Sequence, residues 1–488
     1  MTIDGQFDTV VIGAGPAGTA AGDALARNGR RVALIEKLDR PGGLARTIER
    51  NGARYDIGPH RYFTRAERVS GLWKEAGRDF LIEVHRLTRI LYRNHLLHYP
   101  LQPLNALMGL GLGRSVAAVG SYAVARVKSI VRNKEPDSFE DWVVNQFGRV
   151  LYESFFKTYT EKVWGIPCHD IGATWASQRI KGLSLPRAIL NAFTGHRTST
   201  VKTLVDHFLY CRKGSGTMYE ALCDRMVAGG ARVCLGHDVV AVHHDGRGRV
   251  ECVEAEAGGA ARQFAADTFI STMPISDLVR RLRPAPPPEV LDAADRLRYR
   301  THIAVNLLVK GNPFPDNWVY VHSPDMRVGR IANYRNFCAS MCPDGGRTPL
   351  TFEYFTFDGD DIAARPDADL VDLALREGRQ IGFIGPAAPE DAFVVRSPNA
   401  YCVIQRGYES HVARLRQHVE RYTNLLTVGR AGMFKYNNQD HSIMTGLLAA
   451  DNILGKRYDL WGVNIDAEYH ESGTAPDLCD EDREDVKL

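Results

Sequence analysis

The sequence shows almost no excess of charge of either sign. Its 61 Lys and Arg against 58 Asp and Glu leave a net charge of +3 over 488 residues. This removes the electrostatic case for nucleic-acid binding while leaving room for a local basic site for a phosphate. Cysteine is sparse: the nine, at positions 168, 211, 223, 234, 252, 338, 342, 402 and 479, form no CxxC pair. Zinc ribbons and thioredoxin-like motifs are therefore excluded, and no metal site is expected. No basic stretch precedes the apolar run around Val10, so a secretory signal is not expected. Long apolar runs are also missing: the one between Arg114 and Arg126 holds 11 residues, too few to cross a bilayer. Repeats and low-complexity linkers are absent. Together these gaps predict a soluble, reduced, cytoplasmic protein. What is present is ordinary globular material, 44% hydrophobic and 24% charged, at a length that suits roughly two to four domains of about 100–200 residues.

The chain opens with a βαβ pattern. Phe7–Ile12 is a β-branched, nearly continuous apolar strand. Gly13-Ala-Gly15-Pro16-Ala17-Gly18 follows, then a small-residue helix closed by Gly29, and a second strand, Arg31–Ile35, ending at Glu36. From Pro103 to about Gln178 helical periodicities dominate, with Ser138 and Asp141 forming a capping pair ahead of the run that ends at Trp164. Strand patterns return from about Gly230, with a hairpin signal at Asp245-Gly-Arg-Gly248. They continue from Thr301 to Tyr401 around one helix, and a last strand ends at Gly429 before a final helix. The nucleotide-binding elements thus fall at the start, the middle and the end of the chain. The expected fold is α/β (α+β), with a discontinuous Rossmann-type domain over 1–90, 205–275 and 420–465. A helical substrate-facing region over 91–204, a β-sheet substrate domain over 276–419 and a tail over 466–488 complete it.

The first chemical motif is Gly13-x-Gly15-x-x-Gly18 with Glu36. Gly13 permits the tight turn, Gly15 lets the backbone approach a pyrophosphate, and Gly18 lets helix and strand pack closely. The helix N-terminus favours the anion, and Glu36, 18 residues past Gly18, suits a ribose hydroxyl. Next come Lys37 and then Gly42-Gly43-Leu44-Ala45-Arg46; Gly58-Pro59-His60 forms a second rigid turn with an imidazole behind it. No second GxGxxG lies on a strand–helix junction, so no dedicated NAD(P)H domain is visible. Phe155, Tyr159 and Trp164 stand at i, i+4 and i+9 and read as one aromatic helical face. That face suits a nucleobase or, equally, a buried core stripe.

These motifs resemble the FAD-binding amine oxidase and protoporphyrinogen oxidase superfamily, and within it UDP-galactopyranose mutase. The glycine pair Gly42-Gly43 corresponds to that superfamily's second FAD glycine pair, and Gly58-Pro59-His60 to the mutase turn whose histidine lies beside the flavin. Leu151–Trp164 resembles the mutase helix that faces the nucleotide. The resemblance implies base contacts for Phe155 and Trp164, and phosphate contacts for Tyr159 and Thr160. Arg212–Thr217 resembles a family helix start, and Val239-Val240 ends a strand that usually meets the FAD adenine, which implies Val240. Arg330 and Arg430 fall where the mutases hold the diphosphate, a task suited to a bidentate guanidinium. Tyr401 and Tyr436 join them by the same resemblance, and Arg179 stands in for the mobile-loop arginines. Gly429, Asn438 and Gln439 fall where the family meets the flavin ribityl chain.

The resemblance, running from about Asp8 to Leu454, implies an FAD enzyme, active with reduced flavin, that interconverts pyranose and furanose forms of a nucleotide-diphosphate sugar, a UDP-sugar first. In the family the flavin N5 attacks the anomeric carbon and expels the nucleoside diphosphate; NAD(P)H or another external reductant would keep the flavin reduced, and a homodimer is the assembly considered. His60, Arg330 and Arg430 carry the implied catalytic roles. The chain departs from the family at Tyr436-Asn437-Asn438-Gln439, which lacks a carboxylate near the flavin, and in a longer segment between Arg330 and Tyr401. These departures bear on the sugar more than on the nucleotide. The alternative is an FAD oxidoreductase of the amine oxidase or protoporphyrinogen oxidase type performing net hydride abstraction; a non-enzymatic flavin-binding carrier of the same fold is a third class.

Overall fold

The structure is a computed structural model. It describes residues 2–99, 109–132, 135–173, 175 and 207–464. Two sheets dominate. In the first, the strand Thr2–Ile12 lies parallel to Val32–Glu36 on one side and to Ala260–Ser271 on the other. Val32–Glu36 then pairs with Arg232–Leu235. Ala260–Ser271 divides its length: Phe269–Ser271 pairs parallel with Leu425–Thr427, and its earlier residues pair antiparallel with Val250–Ala257. That strand continues the sheet through the antiparallel strand Asp238–His244, so the hairpin expected at Asp245–Gly248 forms. Every residue of Val32–Glu36 is buried, as its unbroken apolar text requires of a strand covered on both faces.

The second sheet has seven strands in the order Asp391–Cys402, Tyr299–Lys310, Arg347–Thr356, Arg330–Asn333, Trp318–Val321, Thr88–Tyr92 and His95–His98. Thr88–Tyr92 lies parallel to Trp318–Val321 and pairs with His95–His98. Residues 88–98 therefore build this sheet and not the dinucleotide half or the helical insert. Their short alternating text is compatible with either sheet, and only the long-range pairing decides it. The helix Asp367–Ile381 packs Leu370, Leu373 and Ala374 into the apolar core of this sheet.

The helix Pro16–Arg27 leaves the first strand through the glycine turn. It packs against the helix Gln439–Ile453 so closely that a Cβ on Gly446 would come within 2.1 Å of the Ala17 carbonyl oxygen. The start of the first helix thus abuts the middle of the second, and the first turns of both reach the cavity through Pro16 and Ala17 and through Gln439 and Asp440. The helical insert comprises Leu112–Arg132 and then Phe139–Phe147, whose cap Ser138 accepts from the Asp141 amide at 3.1 Å. The run up to Trp164, expected as one or two amphipathic helices, divides at Gly148, which adopts φ +82°, and Tyr152–Lys157 forms a π-turn ahead of the helix Thr158–Trp164.

Candidate active site

A cavity of about 880 Å³ runs from the glycine turn to the face of the second sheet. At one end, the three glycines of the first motif differ in a way that locates a ligand. A Cβ on Gly13 would strike Thr272 Oγ1 at 2.1 Å, and one on Gly18 would strike the Gly13 carbonyl oxygen at 1.9 Å. One on Gly15 would meet nothing within 4 Å. Gly13 and Gly18 are thus glycine because protein presses on them, whereas Gly15 opens onto the cavity at the N-terminus of Pro16–Arg27, where free N–H groups attract an anion. Glu36, 6% exposed, accepts from the Ala14 amide at 2.7 Å and the Leu38 amide at 3.0 Å. Those bonds fix its carboxylate beside the turn with lone pairs to spare. Pro16, Ala17 and Lys37 line the same end.

Gly42 takes φ +105° and donates its N–H to the Ala14 carbonyl at 2.8 Å. This docks the short turn Gly43–Ala45 over the first motif, and Gly43, Leu44 and Ala45 reach the cavity wall while Gly42 stays behind it. The hairpin that follows is anchored by buried Asp56, which accepts from Thr47 Oγ1, Tyr210 Oη and the Ser215 amide. Gly429, with its amide on Thr445 Oγ1 at 3.0 Å, and Asn438 and Gln439, at the head of Gln439–Ile453, close the opposite wall. Val240 does not line the cavity; Val239 does, with His237 and Asp238. The register slips between Val239 and Ala241, so Val240 is the bulged residue and its neighbour takes the inward place.

The middle of the cavity carries charge. His60 follows the Gly58-Pro59 turn, its amide donating to the Gly58 carbonyl at 2.7 Å. Its Nδ1 is buried without a hydrogen-bond partner. Burial, with the Arg330 and Arg430 charges behind it, pushes the imidazole down to about 3, so His60 is neutral. Arg330 opens its strand directly opposite Glu353, and Nε and Nη2 each donate to one carboxylate oxygen at 2.5 Å. His302 Nε2 completes the triad at 2.8 Å from Glu353 Oε2. Arg430 donates from Nε to the Asn437 carbonyl at 2.7 Å, and its guanidinium carbon lies 4.9 Å from the Tyr436 ring centre and 5.5 Å from that of Tyr401. Gly58 sits behind this group, where a Cβ would meet Glu353 and Arg330 at 3.3 and 3.4 Å.

The far end is aromatic. Phe155, Tyr159 and Thr160 reach the wall, and Tyr159 stacks on His322 with ring centres 4.5 Å apart. Trp164 does not reach it. It is 1% exposed and backs Trp175 and Tyr436 at 5.3 and 5.4 Å. Nine residues at 3.6 per turn is two and a half turns, so Trp164 leaves the opposite side from Phe155, and the π-turn shifts the phase further. Trp175 and Phe156 line the cavity instead. Arg179 lies outside the described residues. Sequence reasoning missed Glu353, although a lone acid within Leu350-Thr-Phe-Glu-Tyr-Phe was a signal for a buried partner; Trp175 and His322 carried none.

The sequence profile of the flavin containing amine oxidoreductases matches residues 16–454. The chain belongs to that family. Local similarity reaches 43% identity over 77 residues of a neurosporene-forming phytoene desaturase from Rhodobacter capsulatus, 16% of this chain and 14% of that protein. A probable UDP-galactopyranose mutase of Klebsiella pneumoniae is 25% identical over 174 residues, 34% of this chain and 43% of that one. The chain thus spans well under two thirds of these curated relatives. A crystal structure of reduced UDP-galactopyranose mutase shares the fold, with a TM-score of 0.80 and 22% identity over 93% of this chain and 97% of that one. The protein is a flavoenzyme of the amine oxidase superfamily, and the family implies FAD as its cofactor. The residues present fit that group: the open face at Gly15, the helix start beside it, the oriented Glu36 carboxylate and the orphaned Nδ1 of His60. Among the described residues no cluster of three or more His, Cys, Asp or Glu side chains could hold a metal ion.

Proposed function

We propose that this flavoenzyme interconverts the pyranose and furanose forms of a nucleotide-diphosphate sugar. The observation carrying this reading is that Arg330 and Arg430 line one cavity with Tyr159, Tyr401 and Tyr436, and that both guanidiniums act on His60 next to the cofactor end. An amine or hydrocarbon substrate gives no reason for two cations there, whereas a diphosphate leaving group does. The cofactor, when bound and reduced, supplies the nucleophilic chemistry that such a rearrangement needs.

The chain's own residues divide the remaining work. Arg330 has two nitrogens committed to Glu353, so it offers Nη1 to a phosphate oxygen and stays fixed while doing so. Arg430 is held by the Asn437 and Ala400 carbonyls, and thereby keeps its position when the diphosphate separates and when it returns. The phenols of Tyr159, Tyr401 and Tyr436 donate to phosphate oxygens without adding charge. Neutral His60 gives the cofactor edge a hydrogen-bonding group that does not compete with the arginines for the anion. Phe155, Phe156 and Trp175 provide flat apolar surface for the base and exclude water. Gly13, Gly15 and Glu36 hold the dinucleotide end of the cofactor, with Gly43, Gly429, Asn438 and Gln439 around its middle, while Gly18 and Gly42 shape the turns behind them.

Anaerobic reduction followed by a panel of nucleotide sugars tests the reading. A new isomer formed while the flavin absorbance stays bleached supports it, and a substrate that bleaches oxidised flavin unaided overturns it. The second reading, net hydride abstraction as in an amine-oxidase-type enzyme, draws on the local similarity to a phytoene desaturase. It predicts that bleaching.

A further inference from the structure

Nine large hydrophobic side chains are exposed among the described residues, and six of them sit on one helix. Leu112, Val116, Val119, Val124, Val127 and Val131 lie along Leu112–Arg132, with exposures between 49% and 86%. They are not scattered around it. Ala118 and Ala125, two turns apart, are buried against the body of the protein at 1% and 6%. Taking 3.6 residues per turn from those two, Val116 and Val127 project almost directly away from the body, flanked by Leu112, Val119, Val124 and Val131. Exposed Arg126 falls on one shoulder of this stripe and exposed Lys128 on the other. No acidic residue occurs anywhere from 112 to 132.

We infer that this helix lies in the surface of an anionic lipid bilayer, its valine stripe sunk among the headgroups and its basic shoulders against lipid phosphates. An apolar stripe of this length facing water is costly and marks an interaction surface. A helix with an apolar face and purely basic flanks fits the in-plane mode of membrane binding. It does not fit the spanning mode, since no described helix is long and apolar enough to cross a membrane. A second copy of the same chain is a poorer occupant, because a two-fold contact through this face would set basic shoulders against basic shoulders. The helix packs on Phe139–Phe147 and Arg149–Leu151, the segment that leads into the cavity wall at Phe155.

The test is co-sedimentation of the flavin-loaded full chain with vesicles of phosphatidylcholine alone or of phosphatidylcholine mixed with phosphatidylglycerol. The expected result is binding to the anionic vesicles, weakened by salt and weak on the neutral ones. Val116→Glu with Val127→Glu should abolish it, and Arg126→Ala and Lys128→Ala should each weaken it roughly fivefold, as expected for one basic residue near an anionic surface. Flavin absorbance and thermal unfolding should stay as in the parent, since all four side chains are exposed. Equal sedimentation with both vesicle types, binding that survives the double glutamate variant, or a dimer in light scattering that this variant splits would each overturn the inference.

Discussion

Arg330 and Glu353 face each other across two neighbouring antiparallel strands and are joined by a pair of parallel hydrogen bonds, both 2.5 Å long. Glu353 is wholly buried. Burial alone would raise its carboxyl, but the Arg330 charge and hydrogen bonds overcome that and hold it at about 2. The arginine that the sequence suggests for a diphosphate is therefore clamped before any ligand arrives. Glu353→Gln should lower unfolding stability by about 3–5 kcal/mol, the usual cost of leaving one member of a buried pair uncompensated. Chemical denaturation of the flavin-loaded protein measures it, and an unchanged midpoint would show that the pair carries no structural weight.

Gly15 separates cofactor binding from folding. Its φ of −74° is open to any residue, and an added side chain enters empty space over the helix start. Gly15→Val should fold with an unchanged unfolding midpoint yet bind FAD at least about tenfold more weakly, a loss of about 1.4 kcal/mol. Gly18→Ala meets the Gly13 carbonyl and should lose stability as well. Flavin retention on gel filtration, set against thermal unfolding, distinguishes the two. Equal losses in both variants would contradict this division.

The depressed imidazoles predict the direction of acid sensitivity. Burial pushes His60 and His322 down to about 3, against 6.5 when unfolded. Above pH 6.5 neither state binds the extra proton, so these residues add no pH dependence. Below it the unfolded chain is protonated and the native one is not, so stability falls toward pH 3. The slope is about 1.4 kcal/mol per pH unit for each ring. His60→Gln should flatten the fall in stability between pH 6.5 and pH 5 by about 2 kcal/mol. A variant that loses stability as steeply as the parent would show that His60 is protonated in the native state.

The dinucleotide half was legible because its information is local. Phe7–Ile12, the glycine spacing and Glu36 occupy about thirty consecutive residues, and the structure keeps their order, with the first strand starting earlier, at Thr2, and the second lying one residue on, at Val32–Glu36. The substrate half was less so. Arg330 could be singled out, but its engagement with Glu353 and His302 depends on the register of three strands distant in sequence. Thr88–Tyr92, which the expected boundary at residue 90 cuts in two, joins the second sheet beside Trp318–Val321 for the same reason. Trp164 failed differently: its type suited a nucleobase, but helical phase carries it away from the cavity, and Trp175 takes the exposed place behind which it packs.

The aromatic end of the cavity gives the sharpest test of the nucleotide. Trp175 is partly exposed, its buried Nε1 has no partner, and it is backed edge-on by Trp164. A base lying on that ring would lose about 1–3 kcal/mol with Trp175→Ala, the range measured when stacking platforms are removed. Uridine diphosphate affinity, followed by perturbation of the flavin spectrum, should then fall roughly 5- to 150-fold. Trp164→Ala empties a buried site instead and should cost about 3–5 kcal/mol of stability. If the base sits elsewhere, Trp175→Ala will leave the affinity unchanged while Arg430→Lys still lowers it, because the diphosphate fork and the base platform are separate surfaces of one cavity.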